Sequence, residues 1–296
     1  MRLVTYDADG TWRTGLMVDA GIIDTSAAAR QAGLPDAGPT GSGWGSNRDV
    51  IQADGRTRGA LVEALAELAA SALPLTEIRL GPPVPDPDKL LCMGLNYRDH
   101  AEEQGLPLPS VPQFFAKFRN SLIGPADAIV LPGVSEEIDY EAELAVVIGR
   151  RCRLVSVEDA LSYVGGAMAL NDVSARDLQM EVSQWTMGKA IDTFAPCGPA
   201  LVTLDEISDI GALGIRARVN GETLQDANTS LLIFGVSEAV SFLSRVMTLE
   251  PGDIIATGTP AGVGQARDPQ VWLRGGDVVE IELDEVGALR NPVLSG

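Results

Sequence analysis

The stretch IDYEAELAVVIG, residues 138–149, is the most informative segment of this 296-residue chain. With strand periodicity, Asp139, Glu141 and Glu143 share one face, and that face turns to alanine and valine immediately beyond them. A fully solvated face would have stayed polar. The pattern therefore predicts a covered β-strand whose acidic end faces either solvent or a bound cation, because buried like charges are costly without a positive charge between them.

A second acidic position lies in ALNDVSARDLQ, residues 169–179, after an apolar run. Ser174 opens a capping-box pattern, which predicts the start of a short helix and places Asp172 at the corner before it. From that corner Asp172 can reach a cation held by Glu141 and Glu143. Three carboxylates with open water positions suit Mg²⁺, and suit Mn²⁺ and Ca²⁺ less well. The alternative for Asp172 is an ordinary turn or cap residue.

Two further side chains occur in unusual surroundings. Lys189 follows Trp185 closely and precedes Phe194, which predicts either a buried functional lysine or a surface lysine whose stem lies along apolar neighbours. His100 is the only histidine of the chain and lies in LNYRDHAEE. If this segment is helical, Glu103 is one turn away and can hold the imidazole as a general base. The alternative is a helix-capping or surface histidine.

Composition narrows the possible classes of protein. The chain has 41 acidic and 22 basic residues, a formal charge of −19 and 45% hydrophobic residues. This charge disfavours binding to nucleic acid or anionic membranes, and the apolar content is sufficient for a normal core. The odd, widely spaced set of Cys92, Cys152 and Cys197 indicates reduced core thiols rather than disulfides or a zinc site. With no targeting or transmembrane pattern recognised, we expect a soluble cytoplasmic protein.

The proline-rich stretch GPPVPDPDK, residues 81–89, predicts a domain boundary. Before it, residues 1–80 show short strand patterns and a helical pattern from Thr57 to about Leu73, which indicates a small α/β domain. After it, residues 81–296 contain many short apolar runs with a few helical segments between them. The expected fold class is α+β with β-structure dominant.

Seven motifs in order resemble the fumarylacetoacetate hydrolase family. They are KLLCMGLNYRDHAEE, FFAKFRNSLIGP, IDYEAELAVVIGR, LNDVSARDLQ, QWTMGKAIDTFAPCGP, VNGETLQDANTS and LEPGDIIATGTPAGVG, and the resemblance covers roughly residues 86–290. It implies a β-rich catalytic domain, a mixed β-sandwich or barrel-like β-roll, with a small variable N-terminal domain and usually a homodimeric assembly.

The resemblance also implies roles for individual residues. A divalent metal, usually Mg²⁺ or Mn²⁺, would be held by Glu141, Glu143 and Asp172. Positions that contact the substrate or the metal's water shell in the family are Arg176, Gln179, Lys189 and Thr259. In members that hydrolyse or decarboxylate their substrates, a lid histidine and glutamate activate water, and here these residues are His100 and Glu103.

Family substrates are small 2-oxo acids and acylpyruvates, which chelate a divalent metal through carboxylate and enol oxygens. The metal then acts as a Lewis acid when a C–C bond breaks, and Lys189 and Arg176 would stabilise the developing enolate. The leading hypothesis is a hydrolase that cleaves a C–C bond in acylpyruvate or fumarylpyruvate-type 2,4-dioxo acids. A decarboxylase, an isomerase of the 2-hydroxyhepta-2,4-diene-1,7-dioate type, and a lyase or dehydratase with the same metal site are the alternatives. A metabolite-binding protein without catalysis is the alternative of a different class.

Overall fold

A computed structural model describes residues 1–41 and 43–296, which form two larger β-sheets, one separate pair of short strands and the helices packed on them. The strands of the described residues, in chain order, are β1 (Arg2–Ala8), β2 (Thr11–Val18), β3 (Gly21–Asp24), β4 (Leu80–Gly81), β5 (Leu90–Gly94), β6 (Gln113–Lys117), β7 (Leu122–Ile123), β8 (Ile129–Leu131), β9 (Ile138–Asp139), β10 (Ala142–Ile148), β11 (Val164–Asn171), β12 (Ser174–Ala175), β13 (Ala195–Val202), β14 (Gly214–Val219), β15 (Glu222–Asn228), β16 (Ile254–Ala256), β17 (Val278–Leu283) and β18 (Gly287–Ser295).

The helices are short. They are α1 (Thr25–Gln31), α2 (Asn47–Gln52), α3 (Gly55–Leu68), α4 (Arg98–Glu103), α5 (Val157–Ala160), α6 (Arg176–Glu181), α7 (Thr186–Lys189) and α8 (Val236–Val246). Single 3₁₀ turns occur at Ala69–Ser71, Leu75–Glu77, Arg119–Ser121, Leu161–Tyr163, Leu204–Glu206, Thr229–Leu231 and Gly264–Ala266. Over the part of the chain that the structure describes, no helix has the length and apolar character needed to cross a membrane.

The larger sheet has eleven strands, of which nine follow the order β3-β2-β1-β13-β11-β10-β16-β5-β6, with β4 paired to β1 and β7 paired to β13. Most pairs are antiparallel, but β16 pairs with β5 and β13 with β7 in parallel. A second sheet has the order β15-β14-β17-β18-β8, and β9 and β12 form a separate short pair. The expected β-dominant, mixed-sheet class is confirmed.

Strand β10 is covered on both faces, as its sequence predicts. Leu144 and Val146 belong to an apolar cluster that also contains side chains of the smaller sheet and of α8. Ala145 and Val147 belong to a second cluster that contains side chains of the N-terminal helices. The two-residue period therefore divides the core into two layers, one on each side of the large sheet.

The N-terminal residues are joined to this sheet. Leu3 of β1 pairs with Leu201 of β13, and Leu61 of α3 belongs to the same apolar cluster as Ala145. The predicted helix is present as α3 followed by a 3₁₀ turn. The strands before the proline-rich stretch extend the sheet of the larger part. The division into a domain of residues 1–80 and a domain of residues 81–296 remains a prediction.

The predicted capping box at Ser174 is wrong. Helix α6 begins at Arg176 after an extended Ala175, and no side chain caps its first turn. Ser174 belongs to β12, which pairs with β9, and its hydroxyl donates to the carbonyl oxygen of Asp172 at 2.9 Å. Strand pairing therefore overrides the local capping preference, since it places Ser174 one residue too early to cap the helix.

Candidate metal centre and active site

The candidate site lies at one edge of the large sheet. Strand β10 runs antiparallel to both β11 and β16, so its first residues lie beside the ends of those two strands. Glu141 lies one residue before β10 and Glu143 is the second residue of that strand. Asp172 follows β11, and Thr259 follows β16. The sheet topology therefore brings together residues that are far apart in the sequence.

Three carboxylates form the centre of this site. Glu141, Glu143 and Asp172 each contribute an oxygen, and these oxygens lie within 4.8 Å of one another. All three side chains are buried. Such a cluster needs nearby positive charge, because burial and mutual repulsion both disfavour the ionised forms.

Two buried lysines contact these carboxylates. The Nζ atom of Lys189 lies 2.7 Å from Oε2 of Glu141 and 2.9 Å from Oδ2 of Asp172. The Nζ atom of Lys117 lies 2.6 Å from Oδ1 of Asp172 and donates to the carbonyl oxygen of Val173 at 3.0 Å. Each lysine is only 2% exposed, so the surface alternative for Lys189 is excluded.

Arg176 connects the centre to a fourth buried carboxylate. Its Nη2 atom lies 2.7 Å from Oε1 of Glu141, and its Nε donates to Oδ2 of Asp139 at 2.8 Å. Its Nη1 donates to Oε1 of Gln179 at 3.1 Å. Since a guanidinium group has no acceptor, this contact directs the NH₂ group of Gln179 away from Arg176.

The charges of this cluster do not balance. Asp139, Glu141, Glu143 and Asp172 supply four carboxylates, whereas the contacting cations are Lys117, Lys189 and Arg176, which leaves one negative charge in excess.

The imbalance affects the carboxylates unequally. Burial alone would raise the pKa of Glu141, but the charges of Lys189 and Arg176 lower it to about 2. Burial, followed by the charges of Asp172 and Glu141, raises the pKa of Glu143 well above its ordinary value. Glu143 is therefore the carboxylate with the least neutralised charge.

A divalent cation fits this donor set. The carboxylate of Glu143 accepts a hydrogen bond from the Gly258 N–H at 2.8 Å, and its raised pKa indicates that further positive charge would stabilise it. Oxygen donors grouped in this way suit Mg²⁺ or Mn²⁺. Glu141, Glu143 and Asp172 would hold the ion, which would change the excess charge of the cluster from −1 to +1.

His100 and Glu103 lie on α4, so the predicted helical spacing is confirmed. His100 is buried, and its Nδ1 lies 3.3 Å from Oε2 of Glu103. The other carboxylate oxygen of Glu103 accepts a hydrogen bond from the Gly262 N–H at 2.9 Å. The pair is thus held between α4 and the loop after β16, and Nε2 of His100 remains for contact with a bound molecule.

A cavity of about 150 Å³ connects these residues. Its polar lining includes His100, Glu141, Glu143, Arg176, Gln179, Lys189 and Thr259. The Thr259 hydroxyl accepts a hydrogen bond from Nε2 of Gln225 at 2.8 Å, which leaves its own proton available for donation. Phe115 and Trp185 form an apolar part of the wall, with ring centroids 5.5 Å apart.

Seven of the nine residues predicted for the site line the cavity. The other two, Asp172 and Glu103, contact lining residues directly, so all nine are brought together. Their individual roles remain predictions. The sequence interpretation assigned no role to Lys117 or Asp139. A lysine within the aromatic run FFAKF was the available signal for Lys117, and Asp139 shares the strand face of Glu141.

Comparison with known proteins identifies relatives of this chain. Residues 89–294 match the family model described as fumarylacetoacetate (FAA) hydrolase C-terminal. The mitochondrial oxaloacetate tautomerase fahd2 of Xenopus laevis is 49% identical over 221 residues, which cover 74% of this chain and 69% of that protein. The cytoplasmic location predicted for this chain remains a prediction.

Solved structures extend the similarity to the whole chain. The fumarylacetoacetate hydrolase of Exiguobacterium antarcticum is 34% identical with a TM-score of 0.81. The maleylpyruvate hydrolase of Sphingobium sp. SYK-6, solved in complex with manganese(II) ion and pyruvate, is 33% identical with a TM-score of 0.78. In each comparison 100% of both chains is covered.

Proposed function

Because the chain belongs to the fumarylacetoacetate hydrolase family, we propose that its cavity is a divalent-metal-dependent active site that interconverts the keto and enol forms of a small 2-oxo acid of the oxaloacetate type. The observation that carries this proposal is a cluster of three buried carboxylates at a single small cavity that is also lined by two cationic side chains and one histidine. The 49% identity to an oxaloacetate tautomerase supports the choice of substrate.

Proton transfer at C3 is the chemical step that such a site must promote. A bound divalent cation would supply Lewis-acid stabilisation of the negative charge that develops on the 2-oxo oxygen. Nε2 of His100 removes the C3 proton, and the C–H electron pair forms the C2=C3 double bond while the C2=O π electron pair moves onto the 2-oxo oxygen. The protonated imidazole then gives the proton to that oxygen. Glu103 holds the imidazole through Nδ1 and stabilises its charged form.

Lys189 and Arg176 prepare the site for an anionic substrate. Lys189 holds Glu141 and Asp172 in place through two of its three N–H donors. With a divalent cation present the cluster carries an excess charge of +1, so a 2-oxo acid is attracted locally although the whole protein is strongly acidic.

The proposal is tested by the rate at which oxaloacetate changes form. We expect the protein with Mg²⁺ or Mn²⁺ to accelerate both the decay of enol absorbance and the exchange of C3 hydrogens with D₂O. Chelator-treated protein and Glu143→Ala should lose this acceleration. Equal exchange rates with and without the protein would contradict the tautomerase function.

Metal binding is tested separately. Calorimetric titration of chelator-treated protein with Mg²⁺ and Mn²⁺ should show one site that is lost in Glu143→Ala. Equal binding by the variant would remove Glu143 from the metal centre.

A C–C bond hydrolase is the second candidate, supported by the structural similarity to a maleylpyruvate hydrolase and by the His100–Glu103 pair. In this case the pair would activate water, and one ¹⁸O from labelled water would appear in the acid released from an acylpyruvate. His100→Ala and Glu103→Ala should abolish hydrolysis but preserve the affinity for oxalate, which mimics the enolate of pyruvate. Unchanged hydrolysis in both variants would remove the pair from this chemistry.

A further inference from the structure

Two glutamines of the cavity wall are not explained by metal binding or by proton transfer. Gln104 and Gln265 both line the cavity beside His100 and Arg176. Among the described residues, neither side-chain amide makes a hydrogen bond to the protein, whereas the amide of Gln179 is bonded to Arg176. Gln104 and Gln265 therefore offer two uncharged NH₂ groups to a bound molecule.

The backbone at both glutamines is firmly positioned. Gln104 directly follows α4, and its N–H donates to the carbonyl oxygen of His100 at 3.0 Å. The N–H of Gln265 donates to Oδ2 of Asp139 at 3.1 Å, and the same oxygen accepts the bond from Nε of Arg176. Asp139 thus fixes Gln265 next to Arg176.

Helix α4 and the loop that carries Gln265 are also joined directly. The Gly262 N–H donates to Glu103, the residue before Gln104. Both glutamines therefore lie on two directly connected segments of the wall, next to the predicted catalytic residues His100 and Glu103.

The cationic groups of the site are already committed. Lys189 bridges Glu141 and Asp172, and Arg176 bridges Glu141 and Asp139. The groups available to bind a negative group on the far end of a substrate are therefore amide donors rather than an unpaired cation. Hydrogen bonds from neutral donors to a carboxylate are stronger than those between neutral groups, so two amides are enough to select such a tail.

The tail must also be short. Trp185 packs so closely on Gly94 that a Cβ atom at position 94 would lie 2.2 Å from the indole ring. Together with Phe115 this ring forms one apolar wall of a cavity of about 150 Å³. A cavity of this volume favours a short tail over a long acyl chain.

We propose that Gln104 and Gln265 bind the second carboxylate of a short dicarboxylic 2-oxo acid and thereby make the site selective against monocarboxylic acids such as pyruvate. This inference rests on the proposed function, because it takes the metal-bound head of the substrate as given. It adds a specificity role for two residues that touch neither the metal nor the reacting carbon.

The test uses malate and lactate, two stable probes with the same 2-hydroxy acid head and different tails. In the presence of saturating Mn²⁺ we expect malate to bind about tenfold more tightly than lactate, since two charge-assisted hydrogen bonds are added. The double variant Gln104→Met/Gln265→Met keeps the side-chain length and removes the amides. It should bind malate and lactate with equal affinity and keep the wild-type affinity for lactate.

Gln52→Met is the matched control, because Gln52 lies on α2 and its amide bonds to the carbonyl oxygen of Arg48 outside the cavity. It should preserve the preference for malate. An unchanged preference in the double variant, or an equal loss of both ligands, would overturn the inference. The binding measurement needs no turnover, so it tests the two proposals separately. If the wild-type protein does not act on oxaloacetate but the double variant still loses the preference for malate, the proposed reaction is refuted and the tail site is supported.

Discussion

Lys189 is buried, lines the cavity and is held by two carboxylates, which makes it the residue whose removal most directly tests the site. Lys189→Met should lower kcat/KM by about two orders of magnitude, as loss of a preorganised charge stabiliser typically does. The neighbouring Phe115 ring, with its centroid 5.1 Å from Nζ, can accommodate methionine. Turnover is measured with saturating Mg²⁺, which compensates the carboxylate charges that Lys189 no longer neutralises.

Lys89→Met provides the comparison. Lys89 pairs with Asp253 at 2.7 Å and does not line the cavity, so its loss should leave turnover unchanged. Wild-type activity in Lys189→Met, in a protein whose circular dichroism spectrum is unaltered, would show that this lysine has no part in the chemistry.

The sequence made Lys189 recognisable but not Lys117. Both are buried lysines that contact Asp172. Lys189 stood among apolar residues in a motif with a known family role, whereas the direction of Lys117 depends on β6 pairing with β5 at the sheet edge. Such long-range pairing cannot be deduced from the local pattern, because a strand shifted by one residue points the same side chain to the opposite face.

Helices α6 and α7 are the elements that present Gln179 and Lys189, and they meet at Gly188. A Cβ atom at this position would lie 2.5 Å from the carbonyl oxygen of Ala175 and 2.6 Å from the backbone nitrogen of Gln179. Gly188→Ala must therefore separate the two helices, and we expect a loss of about 1–3 kcal/mol in the free energy of unfolding together with reduced activity.

Gly59→Ala is the matched substitution within α3. Apart from its chain neighbours and the backbone of α3, no atom lies within 4 Å of a Cβ at this position, so alanine should raise the free energy of unfolding by about 0.4–1 kcal/mol. Denaturant titration of both variants measures the difference. If Gly188→Ala unfolds at the wild-type denaturant concentration, the contact between α6 and α7 has room for a methyl group.

The sequence predicts elements that have a clear hydrophobic period. It does not predict elements whose position depends on pairing with a distant strand. The alternation in β10 identified both buried faces, since a two-residue period is a local property. The start of α6 differs from the sequence prediction because Ser174 is held in a strand by its partner β9. The extension of the large sheet by β1 through Leu3 and Leu201 likewise depends on a contact between distant parts of the chain.

At the scale of the whole molecule, we expect a homodimer. The family resemblance predicts it, and the segment that contains α6 and α7 exposes Met180 and Met187 to 69% and 66%. Apolar side chains grouped beside a cavity are typical of a surface that contacts another protein. Light scattering after size-exclusion chromatography should give twice the 31.1 kDa of the chain, and a mass of one chain at micromolar concentration would contradict the expectation.

The unbalanced charge of the metal centre should make the stability of the whole protein depend on pH and on metal. Burial and the charges of Asp172 and Glu141 raise the pKa of Glu143 above its ordinary value of 4.5. A carboxyl group with a raised folded-state pKa stabilises the fold fully below its unfolded-state pKa, and this contribution is lost as pH rises through the folded-state pKa. Metal-free protein should therefore lose stability above pH 4.5, by at most about 1.4 kcal/mol per pH unit from this group.

Glu143→Gln separates this effect from all other titrating groups. Glutamine keeps the shape and cannot ionise, so the metal-free variant should lose less stability than the wild type as the pH rises, and the difference between the two curves reports Glu143 alone. Saturating Mg²⁺ should restore the stability of the wild type at neutral pH, since binding to the folded state is added to the free energy of unfolding, and should leave the variant nearly unchanged. Urea titrations from pH 5 to pH 8, with Mg²⁺ and with chelator, measure all four curves. Parallel curves for the two metal-free proteins would mean that the charge of Glu143 is already neutralised by Lys189, and that the carboxylate cluster is stable without a cation.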